Sequence, residues 1–182
     1  MLVALAIVLA SSPLDPYCDP DAGFSVMFPM APERADHTQV VHGSPTVTHV
    51  YTADTEKVGY AVSWSDHPEA ATTMPELRLQ AARDSVVQGG VVKAETSGKL
   101  GGFPSRRITF EKDGARVSFQ LVLQGVRLFQ AMVVRPAGED HDTAANTFLD
   151  SFALSARATT PPRPPAPRPP APTRPTGGGK AP

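Results

Sequence analysis

The central part of the chain alternates between the two-residue repeat of β-strands and the 3.6-residue repeat of α-helices. Residues 24–28 form a first apolar segment closed by a proline, and residues 38–41 and 46–52 flank a turn-forming His-Gly-Ser-Pro sequence. Residues 58–64 then carry large side chains at every second position. These patterns predict a strand, a hairpin and a third, half-buried stretch of sheet.

Two segments have helical periodicity. The first has an apolar stripe made of Leu79, Ala82 and Val86, with Leu77 and Ala81 beside it. Thr73 and Glu76 match a capping box at its start, and Gly89 fits its end. The second helix is predicted to begin with Asp142 as its N-cap. Its buried stripe consists of Ala145, Phe148, Leu149 and Phe152.

Between the helices, strand patterns cover residues 91–95, 106–112, 115–124 and 126–134. Asp113-Gly114 joins the second and third of these, and this dipeptide is a strong signal for a two-residue hairpin loop. Such a loop pairs Phe110 with Val117 and Ile108 with Phe119. We therefore predict one buried face holding Phe110, Val117, Phe119 and Phe129, packed under the helix that contains residues 148–152 or under its counterpart.

The order strands, helix, strands, helix predicts an α+β fold, in which an antiparallel sheet packs with two helices. The chain has 182 residues, with 41% hydrophobic and 19% charged side chains, which suits one globular domain once both ends are set aside. The first 160 residues carry a net charge of −5 and the last 22 carry +4. An acidic body argues against nucleic-acid binding, which requires a basic face.

The N-terminal residues 2–10 are an unbroken apolar run. This run is too short to span a bilayer, so we do not expect an integral membrane protein, but it matches the core of a secretory signal peptide. We predict a signal peptide at 1–12, a flexible mature N-terminus at 13–22, and export to the periplasm or beyond the cell. A short buried strand is the alternative. Cys18, the single cysteine, excludes an internal disulfide and leaves an inert thiol, a bridge to a partner or a lipid anchor.

The C-terminal residues 157–182 are predicted to form a disordered, basic tail. Ten of the chain's 20 prolines lie here, and the sequence Arg-Pro-Pro-Ala-Pro occurs twice in succession. Proline-rich segments adopt the extended polyproline II conformation. Arg163, Arg168 and Arg174 are the candidate contacts, either with an anionic envelope polymer or with a proline-reading groove. A solvated spacer is the alternative.

Three motifs resemble the PsbP-like superfamily, which includes an extrinsic photosystem II subunit and many small bacterial envelope proteins. They are Gly-Phe-Ser-Val-Met-Phe-Pro at 23–29, Gly-Gly-Phe-Pro-Ser-Arg at 101–106 and Phe-Leu-Asp-Ser-Phe-Ala-Leu at 148–154. These are packing motifs, so the resemblance implies a fold more than an activity. It implies a sheet sandwiched between two helices, over a domain at 23–156.

Candidate catalytic residues are few. His37 and His49 fall on paired strands with His42 at the turn between them, so they could share a metal ion, or else face solvent separately. Glu139 to Asp142 form an acidic cluster that suits either a helix N-terminus or a cation. Asp66-His67 lies near serines, but no serine stands in a nucleophile-elbow sequence. We therefore expect no enzyme and no cofactor.

These observations together predict an exported, noncatalytic binding or adaptor protein of the bacterial cell envelope. Its partner would be an envelope protein or an anionic polymer, held at the sheet rim or in the cleft between a helix and the sheet. Two alternatives remain: a structural or assembly factor that acts through the proline-rich tail, and a metal-dependent enzyme.

Overall fold

A computed structural model describes residues 15–41 and 43–155. The predicted leader at 1–12 and tail at 157–182 therefore lie outside the described residues, as does His42. The elements, in chain order, are β1 Tyr17–Asp19, β2 Phe24–Val26, β3 Glu33–Val41, β4 Ser44–Asp54, β5 Gly59–Asp66, a 3₁₀ turn Pro68–Ala70, α1 Pro75–Val87, β6 Val91–Leu100, β7 Phe103–Lys112, β8 Ala115–Gln124, β9 Arg127–Pro136, α2 Asp142–Ser151 and β10 Ala153–Leu154. This confirms the predicted α+β class.

Seven strands form one antiparallel sheet in the order β3-β4-β5-β9-β8-β7-β6. The Asp113-Gly114 loop has the expected geometry, because both residues adopt positive φ angles of 50° and 77°. Phe110 pairs with Val117 and Ile108 with Phe119, as predicted.

A smaller sheet, in the order β1-β2-β10, is also antiparallel. The expectation of a flexible segment at 13–22 does not hold for Tyr17–Asp19, which form β1. The Asp19 carboxylate explains why this segment has a defined conformation. Its Oδ1 accepts hydrogen bonds from the N–H groups of Asp21 and Ala22, and these bonds fix the turn into β2. The end of the described chain returns to the same place, where the Ser155 N–H donates to the Gly23 carbonyl at 2.9 Å.

Each face of the large sheet has its own core. Helix α2 and the small sheet cover one face, here the α2 face, and this core is rich in aromatic residues: Phe24, Phe28, Tyr51, Tyr60, Phe129, Phe148 and Phe152. Helix α1 covers part of the other, the α1 face, over Ile108, Phe110, Phe119, Leu121 and Leu123. The stripe predicted for α2 is confirmed, since Ala145, Phe148, Leu149 and Phe152 are each 1% exposed.

The prediction that Phe129 shares a face with Phe119 is wrong. Gln124 pairs with Arg127, so the loop between β8 and β9 contains two residues, and Phe119 lies opposite Met132. Side chains alternate along a strand, so Phe129 points to the other face, under α2, while Phe110, Val117 and Phe119 lie under α1. One additional loop residue reverses the face assignment of the whole strand.

Both predicted helix starts are displaced by one residue. The N-cap of α1 is Met74, and its side chain makes no capping hydrogen bond, so Thr73 and Glu76 do not form a capping box. Pro75 occupies the first helical position, where its missing N–H costs nothing. Asp142 is the first residue of α2 rather than its cap. Leu77, predicted beside the apolar stripe of α1, is 59% exposed. The predicted end of α1 is confirmed by Gly89, with φ of 78°.

Candidate functional site

The two histidines proposed as metal ligands do not converge. His37 lies opposite Thr48, and His49 lies opposite Asp36. Because opposed residues share a face and neighbouring residues alternate, the two imidazoles lie on opposite faces of the β3–β4 ribbon. Within residues 15–41 and 43–155, no group of three or more His, Cys, Asp or Glu side chains is arranged to hold a metal ion.

His49 belongs instead to a stack on the α2 face. Its ring lies on the indole of Trp64 with centroids 4.0 Å apart, and the Arg127 guanidinium lies 4.0 Å from the Trp64 centroid. The His49 Nδ1 is 2.8 Å from Asp36, whose pKa is lowered chiefly by this hydrogen bond. Arg127 is held in turn by Asp66 at 2.7 Å. These five side chains fix one another, so we interpret the stack as structural.

Ser65 and His67 form a pair that the sequence analysis had set aside. The Ser65 hydroxyl is 2.9 Å from His67 Nε2, as in a serine–histidine dyad. However, Ser65 is only 4% exposed and sits within β5, paired on both sides. A nucleophile requires access for its substrate and a free donor for the oxyanion. A buried hydroxyl in the middle of a sheet meets neither need.

The acidic cluster before α2 is engaged by cations of the protein itself. Glu139 accepts a hydrogen bond from Lys57 at 3.0 Å and lies 3.0 Å from His141. The hydrogen bond from Lys57 contributes most to lowering the pKa of Glu139, and the hydrogen bond from His141 contributes next. Asp142 is paired with Arg135 at 2.5 Å. The tail residues Arg163, Arg168 and Arg174 lie outside the described residues, so their contacts remain predictions.

A polar cleft lies between α2 and the part of the sheet that α2 leaves uncovered. Its volume is about 400 Å³, and we call it the polar cleft: Lys93, Ala94, Thr109, Glu111, Arg116, Ser118, Arg135, Asp142 and Asn146. Strands β6, β7, β8 and β9 form its floor, and the first turns of α2 form one wall. All its side chains except that of Ala94 are polar, and they contribute both donors and acceptors.

Arg135 is a deeply buried charged group of the polar cleft. Its side chain is 3% exposed. One nitrogen donates to Ser118 Oγ at 3.1 Å and another to Asp142 at 2.5 Å, while Nε has no hydrogen-bond partner among the described residues. A buried guanidinium normally satisfies its donors, because an unmade hydrogen bond there costs free energy. The polar cleft therefore holds a charged group with unused hydrogen-bonding capacity.

The carboxylates of the polar cleft are held ionised by neighbouring cations. Arg135 contributes most to lowering the pKa of Asp142. Lys93 contributes most to lowering the pKa of Glu111, and Arg116 contributes next. Arg116 links the two carboxylates, because it binds Glu111 at 3.0 Å and reaches Asp142 at 3.5 Å. With both carboxylates charged near neutral pH, neither is suited to donate a proton in catalysis.

The same face of the sheet has another depression, towards the Gly101-Gly102 end of β7. This second depression of about 200 Å³ is lined by residues that include Thr96, Gly98, Ser105, Arg107 and Gln120. Arg107 connects the two, since it donates to Asn146 at 3.0 Å and also binds Asp150. A larger depression of about 540 Å³ near Lys57 has a mainly apolar floor on the α1 face, with Ala61, Met132 and Val134.

Sequence reasoning missed the polar cleft, although a signal was present. In β7 and β8 the positions between the large apolar residues are Arg107, Thr109 and Glu111 on one strand and Arg116, Ser118 and Gln120 on the other. Such alternation indicates a sheet with one polar face. What the sequence did not show is that α2 stands beside this face and encloses it.

The comparisons with known proteins bear on the fold. The solution structure of cyanobacterial PsbP (CyanoP) from Synechocystis matches 85% of this chain and 98% of its own, with a TM-score of 0.54 and 12% identity. The chain has a PsbP-like fold. This confirms the resemblance drawn from the packing motifs, and at such low identity a PsbP-like fold implies no particular activity.

Two further structures match less closely than the PsbP-like one. A protein from Bacteroides thetaiotaomicron has a TM-score of 0.48 at 12% identity, covering 80% of this chain and 50% of its own. A Pseudomonas aeruginosa protein of unknown function has a TM-score of 0.41 at 9% identity, covering 71% and 98%. No family model and no curated protein matches the sequence. Neither of the two described α-helices is long and apolar enough to cross a membrane.

Proposed function

We propose that this PsbP-like protein is an exported, noncatalytic binding protein of the bacterial envelope, and that the polar cleft holds its ligand. The observation that carries the proposal is Arg135, a guanidinium only 3% exposed that lines a cleft of about 400 Å³ together with other charged and polar side chains. Ligand sites are concave surfaces in which a few polar or charged groups converge.

The ligand is expected to be polar and to offer both donors and acceptors. Lys93, Arg116 and Arg135 can only donate, whereas ionised Glu111 and Asp142 can only accept. Each cation is already paired with a carboxylate, so the polar cleft offers a small excess of positive charge rather than a strong anion site. A partner rich in hydroxyl, amide or mixed charged groups fits this arrangement better than an apolar one.

Absence of catalysis is part of the same proposal. The two carboxylates of the polar cleft are ion-paired, and Ser65, the hydroxyl partner of His67, is buried away from the cleft. Export is supported by the apolar run at 2–10, which matches a signal peptide. Binding in the polar cleft and export are separate statements, and each has its own test.

Chemical-shift mapping of the full chain tests the cleft. The ¹⁵N-labelled protein is titrated separately with inorganic phosphate, galacturonic acid and tetraglycine, which represent an anion, an acidic polyol and a peptide backbone. We expect at least one probe to shift the amides of Thr109, Arg116 and Asn146 in a saturable manner. Shifts spread evenly over the surface, with no saturation at these residues, would count against the proposal.

A matched pair of variants separates the cleft from general charge effects. Arg116→Gln removes a cation that binds Glu111 inside the cleft, and Arg83→Gln removes one that binds Glu95 on the α1 face. The two arginine side chains have similar exposures, 29% and 23%. Arg116→Gln is expected to weaken binding of the active probe, and Arg83→Gln to leave it unchanged.

A further inference from the structure

Strand β6 is an open edge of the large sheet. It has ten residues, of which nine are exposed, and it is the last strand in the sheet order. Its inner edge pairs with β7, with a register shift between Val92 and Ala94. The stretch from Ala94 to Leu100 is therefore regular strand whose outer main-chain groups face away from the sheet. Such an edge is a template for another strand.

The hairpin geometry shows which residues point outwards. Leu100 pairs with Phe103 across the two-residue loop Gly101-Gly102, so these two residues exchange main-chain hydrogen bonds. The exchange then recurs at every second pair, which leaves Glu95, Ser97 and Lys99 with their N–H and C=O groups directed outwards. Pro104 agrees with this assignment, because it lacks an N–H and lies opposite Lys99.

We propose that β6 pairs with β6 of a second copy of this chain in an antiparallel register centred on Ser97. In this register Glu95 of each copy lies opposite Lys99 of the other. Opposite charges directly across a sheet stabilise the pair, and like charges destabilise it. Neighbouring registers are worse: centring on Glu95 or on Lys99 places like charges opposite each other, and centring on Thr96 places Lys93 opposite Lys99.

The other side chains of the strand fit the same register. On the α2 face, Thr96 of one copy lies opposite Gly98 of the other, where an added Cβ meets nothing within 4 Å. Ala94 lies opposite Leu100, an apolar pair. On the α1 face, Glu95 is already held by Arg83 and Arg106, and Lys99 has no ion-pair partner among the described residues. The pairing supplies Lys99 with a carboxylate and adds about six main-chain hydrogen bonds.

The paired sheets form one continuous surface. A two-fold axis through Ser97 runs perpendicular to the sheet, so both α2 faces lie on the same side. The two polar clefts then flank the axis, each with the β6 part of its floor nearest to the partner copy. A dimer of this kind presents two clefts to one extended ligand, although the pairing itself does not depend on what the clefts bind.

Sedimentation velocity of the full chain from about 10 to about 500 µM tests the proposal, since mass action makes a dimer held by one strand pair concentration-dependent. Lys99→Glu creates two like-charge contacts and is expected to raise the dimer Kd about tenfold. Lys99→Arg keeps the cation opposite Glu95 and is expected to keep the dimer. A chain that stays monomeric throughout, or a Lys99→Glu variant with unchanged Kd, overturns the proposal.

Zero-length carbodiimide crosslinking fixes the register. Glu95 and Lys99 are four residues apart on one strand, about 13 Å, so an amide bond between them forms only between two copies. Mass spectrometry of the crosslinked dimer is expected to find a Glu95–Lys99 peptide, and a dimer without it refutes the register. Ser97→Pro removes an outward N–H and is expected to abolish the dimer, while Ser97→Ala preserves it. Circular dichroism confirms that both variants are folded; a folded Ser97→Pro variant that still dimerises also overturns the proposal.

Discussion

The existence of two separate cores can be tested with a pair of double-mutant cycles. Phe119 lies on the α1 face, stacked on Phe110 with centroids 6.2 Å apart and planes 11° apart. Phe129 lies on the α2 face, 6.2 Å from Phe152. Phe119 and Phe129 are on neighbouring strands, but they are three residues out of register and on opposite sides of the sheet. Phe110 and Phe119 are therefore in contact, whereas Phe119 and Phe129 are not.

The magnitudes follow from burial. Phe119 is 8% exposed and Phe129 is 0% exposed, so Phe119→Ala is expected to cost about 3–5 kcal/mol, and Phe129→Ala falls at the upper end of that range. Two such losses would exceed the stability of many domains, about 5–15 kcal/mol. Leucine substitutions remove less volume and are expected to cost about 1–2 kcal/mol each, by the transfer free energy of the lost carbons.

Urea unfolding at 25 °C measures the coupling. The stacked pair Phe110→Leu with Phe119→Leu is expected to show a coupling of about 0.5–1.5 kcal/mol, the usual value of an aromatic pair. The pair Phe119→Leu with Phe129→Leu is expected to be additive within about 0.5 kcal/mol, since the side chains share no contact. Coupling above about 1 kcal/mol in the second cycle, or none in the first, would refute the assignment of faces.

Three further predictions concern the ends of the chain and one buried pair. Intact-mass measurement of native protein is expected to find a mature N-terminus near Ser11 to Leu14, and retention of Met1 would contradict export. Deleting 161–182 is expected to change the unfolding free energy by less than about 0.5 kcal/mol. The same deletion should weaken retention on envelope material at low salt far more than at high salt, because salt screens exposed charges; equal retention of the two forms would identify the tail as a spacer. Burial, followed by the hydrogen bond to Asp19, raises the pKa of Tyr51 to about 12. Tyr51 therefore contributes stability that is complete below pH of about 10 and is lost as pH rises through about 12. Absorbance titration at 295 nm of Asp19→Asn is expected to show earlier ionisation of Tyr51, and also of Tyr17, whose pKa the Asp19 charge raises as well. An unchanged curve would show that Asp19 has no such effect.

Much of the fold could be predicted because the strands alternate clearly and one loop has a distinctive sequence. Asp113-Gly114 determined the register of Phe110 and Phe119. The face of Phe129 depended on the length of a second loop, Gly125-Val126, which has no comparable signature. β1 was not predicted because three residues are too few to show a repeat. The Asp19 carboxylate stabilises the following turn by accepting hydrogen bonds from main-chain N–H groups, and these bonds leave no side-chain pattern in the sequence.

The site was less predictable than the fold. His37 and His49 could either share a metal ion or face solvent separately, and the choice depended on the register of β3 and β4, which no residue of the turn specifies. The polar cleft combines Arg135 at the end of β9 with Asp142 at the start of α2 and Lys93 at the bulge of β6. Lys93 is far from the other two residues in sequence, and the packing of α2 beside the sheet places all three around one cleft.

The described chain ends beside its beginning, with Ser155 bonded to Gly23 and with the Leu154 carbonyl 3.8 Å from where a Cβ on Gly101 would lie. The polar cleft lies beside the opposite end of β7, where Glu111 and Arg116 flank the Asp113-Gly114 loop. A ten-residue strand is about 34 Å long. The residues that follow Ser155 therefore start at one end of the sheet, and the polar cleft opens near the other end.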